Sequence, residues 1–232
     1  MTIARLARAL MALLILGGFP MVLPAQTTRG EEPDLTPSRM RPMIERYTAD
    51  RSSLSRSYPI SISPTRAARF KQFYAEWLDR LAKLDFEGLN LDERVDYALL
   101  RNHLEYELQQ LDIQSKQFAE IEPLMPFAKP IIELEETRRR IQPVDSVAAA
   151  DLLNRLRKQI EETQKRVEAG VQPPGRPART GDASVEPIRV KKTIANRAAA
   201  TLLSLRNTLR SWFTFYNGYD PVFTWWVNEP YT

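Results

Sequence analysis

His103 is the only histidine in a chain of 232 residues, and there is no cysteine. The chemistry open to the chain is narrow from the start. Without cysteine there is no disulfide framework, thiolate zinc site, iron–sulfur cluster, cysteine nucleophile or lipid anchor on an N-terminal cysteine. His103 and Glu107 stand four apart, which places them on one face of a helix. A protein zinc site usually draws on several His or Cys ligands, and a Ser-His-Asp triad would have to use this same His103. No Gly-x-Ser-x-Gly elbow accompanies it. His103 reads as a partly exposed helix histidine beside a carboxylate.

Paired carboxylates recur at Glu31-Glu32, Asp92-Glu93, Glu135-Glu136 and Glu161-Glu162. Glycoside hydrolysis needs two acids facing each other across a cleft. Neighbouring acids along a helix are expected to be solvated instead. The basic run Thr137-Arg138-Arg139-Arg140 is likewise expected on the surface. Pro173-Pro174-Gly175-Arg176-Pro177 has the wrong spacing for a phosphate-cradling loop. No catalytic residue, metal ligand or cofactor-binding residue is assigned.

The most unusual segment is the last. Trp212, Phe213, Phe215, Tyr216, Tyr219, Phe223, Trp225, Trp226 and Tyr231 crowd together. Aromatic side chains at this density belong to cores or to interfaces. A packed core corner is one reading. A surface that meets something else is the other, with Tyr219, Asp220, Trp225 and Trp226 as its candidate contact residues. The chain stops at Glu229-Pro230-Tyr231-Thr232 without a tapering polar tail, and a continuation is expected from that.

The elements that must carry these residues are helical. Ser63-Pro64 pairs a capping side chain with a proline at the first helical position. Phe70, Phe73, Tyr74, Trp77, Leu78, Leu81 and Leu84 then recur at threes and fours. Asn90 with Glu93 forms a capping box for a helix running to about Ala119. That helix has two apolar sides, one with Val95, Leu99, Asn102, Tyr106 and Leu111, the other with Tyr97, Leu100, Leu104 and Leu108. Such a helix is expected to lie between neighbours. An earlier helix over 42–57 aligns Ile44, Tyr47, Leu54 and Tyr58. After Pro123, Pro126 and Pro130 a short helix is expected over 131–140. Another opens at Asp145-Ser146, carries Ala149, Leu153, Leu156, Ile160, Thr163 and Val167, and stops at Gly170. Residues 170–187 are a Pro/Gly-rich loop, and 188–216 the last long helix, with Ile194, Ala198, Leu205, Leu209, Trp212 and Tyr216 on one stripe. Asp220-Pro221 caps a final short helix through Val227. Almost nothing alternates with a period of two. The fold expected is an all-α, multi-helix antiparallel bundle with proline-rich corners.

Ahead of this domain, assigned to 42–232, residues 1–25 read as a signal peptide. Arg5 and Arg8 precede an apolar run that is too short to span a bilayer comfortably. An uncleaved anchor is the alternative. Residues 26–41 read as a disordered lead-in. The expected location is secreted or periplasmic, with no membrane association after cleavage. The net charge of +4 is spread over mixed-sign helix surfaces, and no basic run interleaves with aromatics, so nucleic acid is not an expected partner.

Four blocks resemble a known family. They are Tyr47-x-x-Asp50-Arg51; Ser63-Pro64 with Arg66; Arg94-Val95-Asp96-Tyr97-x-Leu99-Leu100-Arg101-Asn102; and Phe215-Tyr216-x-Gly218-Tyr219-Asp220-Pro221-x-Phe223-Thr224-Trp225-Trp226. Together they resemble the N-terminal part of the bacterial DUF 885 family, exported proteins regarded as zincin-like metallopeptidases. The resemblance implies a longer parent protein whose zinc signature, His-Glu followed closely by Pro-Gly-His, lies in its later half. Here His103 is followed by Leu104, so no ligand carries over and zinc is implied only for a full-length relative.

The expectation is therefore a non-catalytic helical module that walls the substrate channel of such a peptidase. Its partner would be a C-terminal catalytic half, on the same or a separate chain, with a peptide as the substrate. A stand-alone helical binding or scaffolding protein of the cell envelope is the rival reading.

Overall fold

The computed structural model describes residues 38–171 and 186–232. Among them are seven α-helices, one short 3-10 turn and no strand, an all-α multi-helix bundle. The expected signal peptide and residues 26–37 of the expected lead-in lie outside the described residues, as do 172–185 of the expected Pro/Gly-rich loop.

The first helix, α1 (Met40–Ser57), begins two residues before the expected start. Its early start has a cause, because Met40 is completely buried. Residues 38–41 thus belong to the folded unit and not to a lead-in. Helix α2 (Pro64–Ala82) starts as the sequence dictates, with the Ser63 hydroxyl accepting from the Arg66 amide at 3.0 Å. Helix α3 (Leu91–Ile121) opens on the full capping box. The Glu93 amide donates to Asn90 Oδ1 at 2.9 Å, and the Asn90 amide to Glu93 Oε2 at 3.0 Å.

A 3-10 turn at Glu122–Leu124 leads to α4 (Ala128–Arg139), which begins earlier than expected. Pro130 falls in its first turn, where a missing N–H leaves no intrahelical bond unmade. Helix α5 (Ser146–Val171) is capped by Asp145, whose Oδ1 accepts from the amides of Val147 and Ala148, both at 3.0 Å. Gly170 does not stop it. A Cβ at Gly170 would lie 1.9 Å from the Ile188 carbonyl oxygen, so its role is to admit the returning chain. The Ile188 amide donates to the Arg166 carbonyl at 3.0 Å. That bond holds Ile188 in a non-helical segment, and α6 (Lys192–Tyr216) starts four residues later than expected. Helix α7 (Pro221–Tyr231) completes the fold and runs four residues beyond Val227.

Two hydrophobic clusters organise the helices. Tyr47, Phe70, Phe73, Tyr74, Trp77 and Leu81 from α1 and α2 meet Leu100 and Leu104 of α3. A second cluster gathers Ile131 and Ile132 of α4, Leu153 and Leu156 of α5, Leu205 and Trp212 of α6, and Phe223 and Val227 of α7. Helix α3 contributes Leu100 and Leu104 to the first and Ile121 to the second.

The expectation that α3 is covered on two sides is corrected. Leu100 and Leu104 are buried, but Val95, Leu99 and Tyr106 of the other side are exposed. Along Val95–Tyr106 neighbouring helices cover one face, whereas further on Leu111 packs against the first cluster and Ile121 joins the second.

Candidate contact surface

The corner between α6 and α7 is set by four residues. Gly218 takes a φ of +83°, the left-handed region that glycine enters without penalty. Its amide donates to Thr224 Oγ1 at 3.0 Å. Asp220 Oδ1 accepts from the amides of Val222 (2.9 Å) and Phe223 (3.1 Å), capping α7, and Pro221 fills the first helical position. At the far end the Arg157 guanidinium of α5 donates to the Glu229 and Pro230 carbonyls at 3.1 and 3.2 Å. Both ends of α7 are pinned, so its faces are fixed.

This geometry divides the aromatic segment. Trp212, Phe213 and Phe223 are buried. Trp212 and Phe223 meet edge-on at 5.2 Å, and Phe213 stacks on Tyr231 at 3.7 Å. Tyr216 packs on Phe223 at 4.9 Å, and its burial raises its hydroxyl pKa. Outside stand Phe215, Tyr219, Trp225 and Trp226, with Tyr219 and Trp225 more than four-fifths exposed, at 85% and 82%. Of the four contact candidates, Tyr219, Trp225 and Trp226 therefore present rings to solvent. The Asp220 carboxylate is occupied in capping. The core reading holds for the buried rings, while the other rings are exposed.

Phe215 was not among the four candidates, and it is 56% exposed. The Arg138 guanidinium of α4 lies 4.6 Å from its ring centre. An open groove of about 430 Å³ runs beside it, lined by Arg138, Asn207, Arg210, Ser211, Thr214 and Phe215. A smaller cleft of about 240 Å³ between α4, α5 and α6 includes Trp212, Tyr216 and Arg138.

The second polar centre lies among α1, α2 and α3. Tyr47 and His103 Nε2 share a hydrogen bond of 2.8 Å, while Glu107 Oε1 is 3.9 Å from that nitrogen. Arg51 donates to Glu107 Oε1 at 2.9 Å, and the Tyr74 hydroxyl to Glu107 Oε2 at 3.1 Å. Burial raises the pKa of both phenols, so both stay protonated, and which of Tyr47 and His103 donates is set by the imidazole tautomer. His103 is thus tied to a tyrosine and beside a carboxylate that already has two other partners. Among the described residues no group of three or more His, Asp or Glu is placed to hold a metal ion. The zinc that the resemblance implies for longer relatives is not assigned to residues here.

Two of the paired carboxylates depart from the solvated expectation. Glu135 is buried and binds both Arg138 (Nε to Oε2, 2.7 Å) and Arg139 (Nε to Oε1, 2.9 Å). Glu136 receives the Ser63 hydroxyl. The acidic pair is thus paired with the basic run after it, of which Arg138 is mostly covered while Arg139 and Arg140 stay exposed as expected. A signal was present, since arginines three and four residues after an acid share its helix face. Glu93 is also buried. Arg39 binds it through its side chain and backbone amide, and with the Asn90 amide this lowers its pKa to about 2. Asp92, Glu161 and Glu162 are exposed as expected. Glu31-Glu32 and Pro173–Pro177 lie outside the described residues.

No family model matches the chain, and no curated protein or solved structure matches it.

Proposed function

We propose that this chain is a non-catalytic helical module of an exported DUF 885-type metallopeptidase, which walls the substrate channel and supports a catalytic half carried elsewhere. The observation that carries this reading is the outward face of the α6–α7 corner. Trp225 and Trp226 stand exposed on a helix held at both ends, and Tyr219 stands exposed in the turn that leads into it. Exposed Trp and Tyr on a rigid element are what protein interfaces select, because their area comes with little conformational freedom to lose. The same stretch forms the longest block of the family resemblance. The zinc and the peptide substrate belong in this proposal to the other half.

A stand-alone binding or scaffolding protein of the cell envelope is the second reading. It is favoured by the two well-filled clusters and by the satisfied interior: among the described residues one buried side-chain atom, a nitrogen of Arg69, lacks a hydrogen-bond partner.

The test is hydrolysis of a mixed peptide library by the purified chain with zinc supplied. The module reading expects no zinc-dependent cleavage by this chain, and cleavage would sink it. Sequencing the adjacent reading frames separates the remaining options. A frame with the His-Glu and Pro-Gly-His signature supports the module, while none favours the stand-alone protein.

A further inference from the structure

The bare side of α3 carries the most regular apolar pattern on the surface. Leu91, Val95, Leu99, Tyr106 and Ile113 are all exposed, at 76, 50, 62, 56 and 44%. From Val95 the positions 95, 99, 102, 106, 109 and 113 alternate steps of four and three. That is the seam of a two-helix coiled coil, with Asn102 and Gln109 as its polar members. The seam from Leu91 to Ile113 is roughly 33 Å long. A monomer gains nothing by keeping such a row in water, since scattered exposed apolar residues need no explanation but an aligned stripe does.

We infer that this face of α3 pairs with the same face of a second copy of the chain, antiparallel, about a twofold axis near residue 104. The pattern is close to its own reverse about that point. Val95 then lies opposite Ile113 of the second copy, Leu99 opposite Gln109, and Asn102 opposite Tyr106, whose hydroxyl can bond the Asn102 amide. A closed, isologous pair is the expected form for identical subunits.

The area agrees with a weak dimer. Covering the five apolar side chains on both copies removes on the order of 1,000 Å² from water, at the low end for specific interfaces. The pairing is therefore weak and reversible. It leaves the α6–α7 corner unassigned, so it stands or falls apart from the proposed function.

The experiment is sedimentation velocity on the chain without its first 25 residues, from about 1 to 100 μM. The mass is expected to rise towards twofold with concentration. Leu99→Glu is expected to weaken association at least tenfold, with unchanged helicity and thermal unfolding because Leu99 is exposed. Because the chain has no cysteine, direction can be read by oxidation. Val95→Cys mixed with Ile113→Cys should give a mixed disulfide dimer, and neither variant alone should cross-link. A monomer at every concentration overturns the inference. So does a dimer indifferent to Leu99→Glu, or one in which Val95→Cys links to itself.

Discussion

The two clusters use their aromatic side chains in opposite ways. In the α1–α3 cluster Tyr47, Phe70, Phe73, Tyr74 and Trp77 are all buried. The two phenols there are satisfied by His103, Arg51 and Glu107. At the α6–α7 corner an equally aromatic stretch is split, with Phe223 fully buried and Trp225 almost fully exposed two residues later. Aromatic density therefore says little about burial. What decides is angle around the helix, counted from a well-defined start. Phe223, Val227 and Pro230 repeat at four and three and face inward, while Val222 and Trp225 fall on the outer side. An apolar face that neighbours cover is core; one that they leave bare stays exposed to solvent.

The sharpest way to break this comparison is a pair of alanine substitutions on α7. Phe223→Ala should cost about 4 kcal/mol in denaturant unfolding, because it empties a filled site beside Trp212. Trp225→Ala should stay within about 0.5 kcal/mol. Equal costs would mean that the outer face is packed after all. Next in size is the contrast between two acidic pairs. Glu135→Gln removes the charge partner of the mostly covered Arg138, Arg139 being partly solvated, and should cost about 2 kcal/mol, whereas Glu161→Gln should be silent to about 0.5 kcal/mol.

The α1–α3 cluster makes an acid-sensitivity prediction. Glu93 has its pKa lowered from 4.5 to about 2 by Arg39 and two backbone amides. Its folded form binds a proton less readily than its unfolded form, so its contribution is complete above about 4.5 and is lost as pH falls towards 2. Chemical unfolding measured across that window should show the native chain losing stability faster than Glu93→Gln; parallel curves would remove Glu93 from the account. The smallest effect expected is that of Tyr47→Phe, about 1 kcal/mol for the lost hydrogen bond to His103, measured by thermal unfolding.

Much of this was legible in the sequence because it is local. Ser63-Pro64, Asn90 with Glu93, Asp145 and Asp220-Pro221 each start a helix where the residues themselves dictate, and each cap is made by the expected side chain. The misreadings concern what comes from far along the chain. Periodicity shows that α3 has two apolar sides but not whether a neighbour arrives to cover each. Gly170 reads as a stop until Ile188 is seen to approach it. Glu135 reads as solvated because its burial depends on helices packed around α4, although its arginines were in view. Which rings of the last segment face solvent could not be read from its composition; the separation of Tyr219, Trp225 and Trp226 from Trp212 and Phe223 needed the fixed corner.

The most direct test of the central claim is complementation. The chain would be mixed with the separately expressed later half of a DUF 885-type protein carrying the zinc signature, and zinc-dependent peptide hydrolysis followed. The account predicts no hydrolysis by the chain alone and hydrolysis by the mixture. Hydrolysis should fall when Trp225 and Trp226 are replaced by alanine, with the variant's thermal unfolding unchanged. Zinc-dependent cleavage by the chain alone, or complementation indifferent to those two tryptophans, would contradict it.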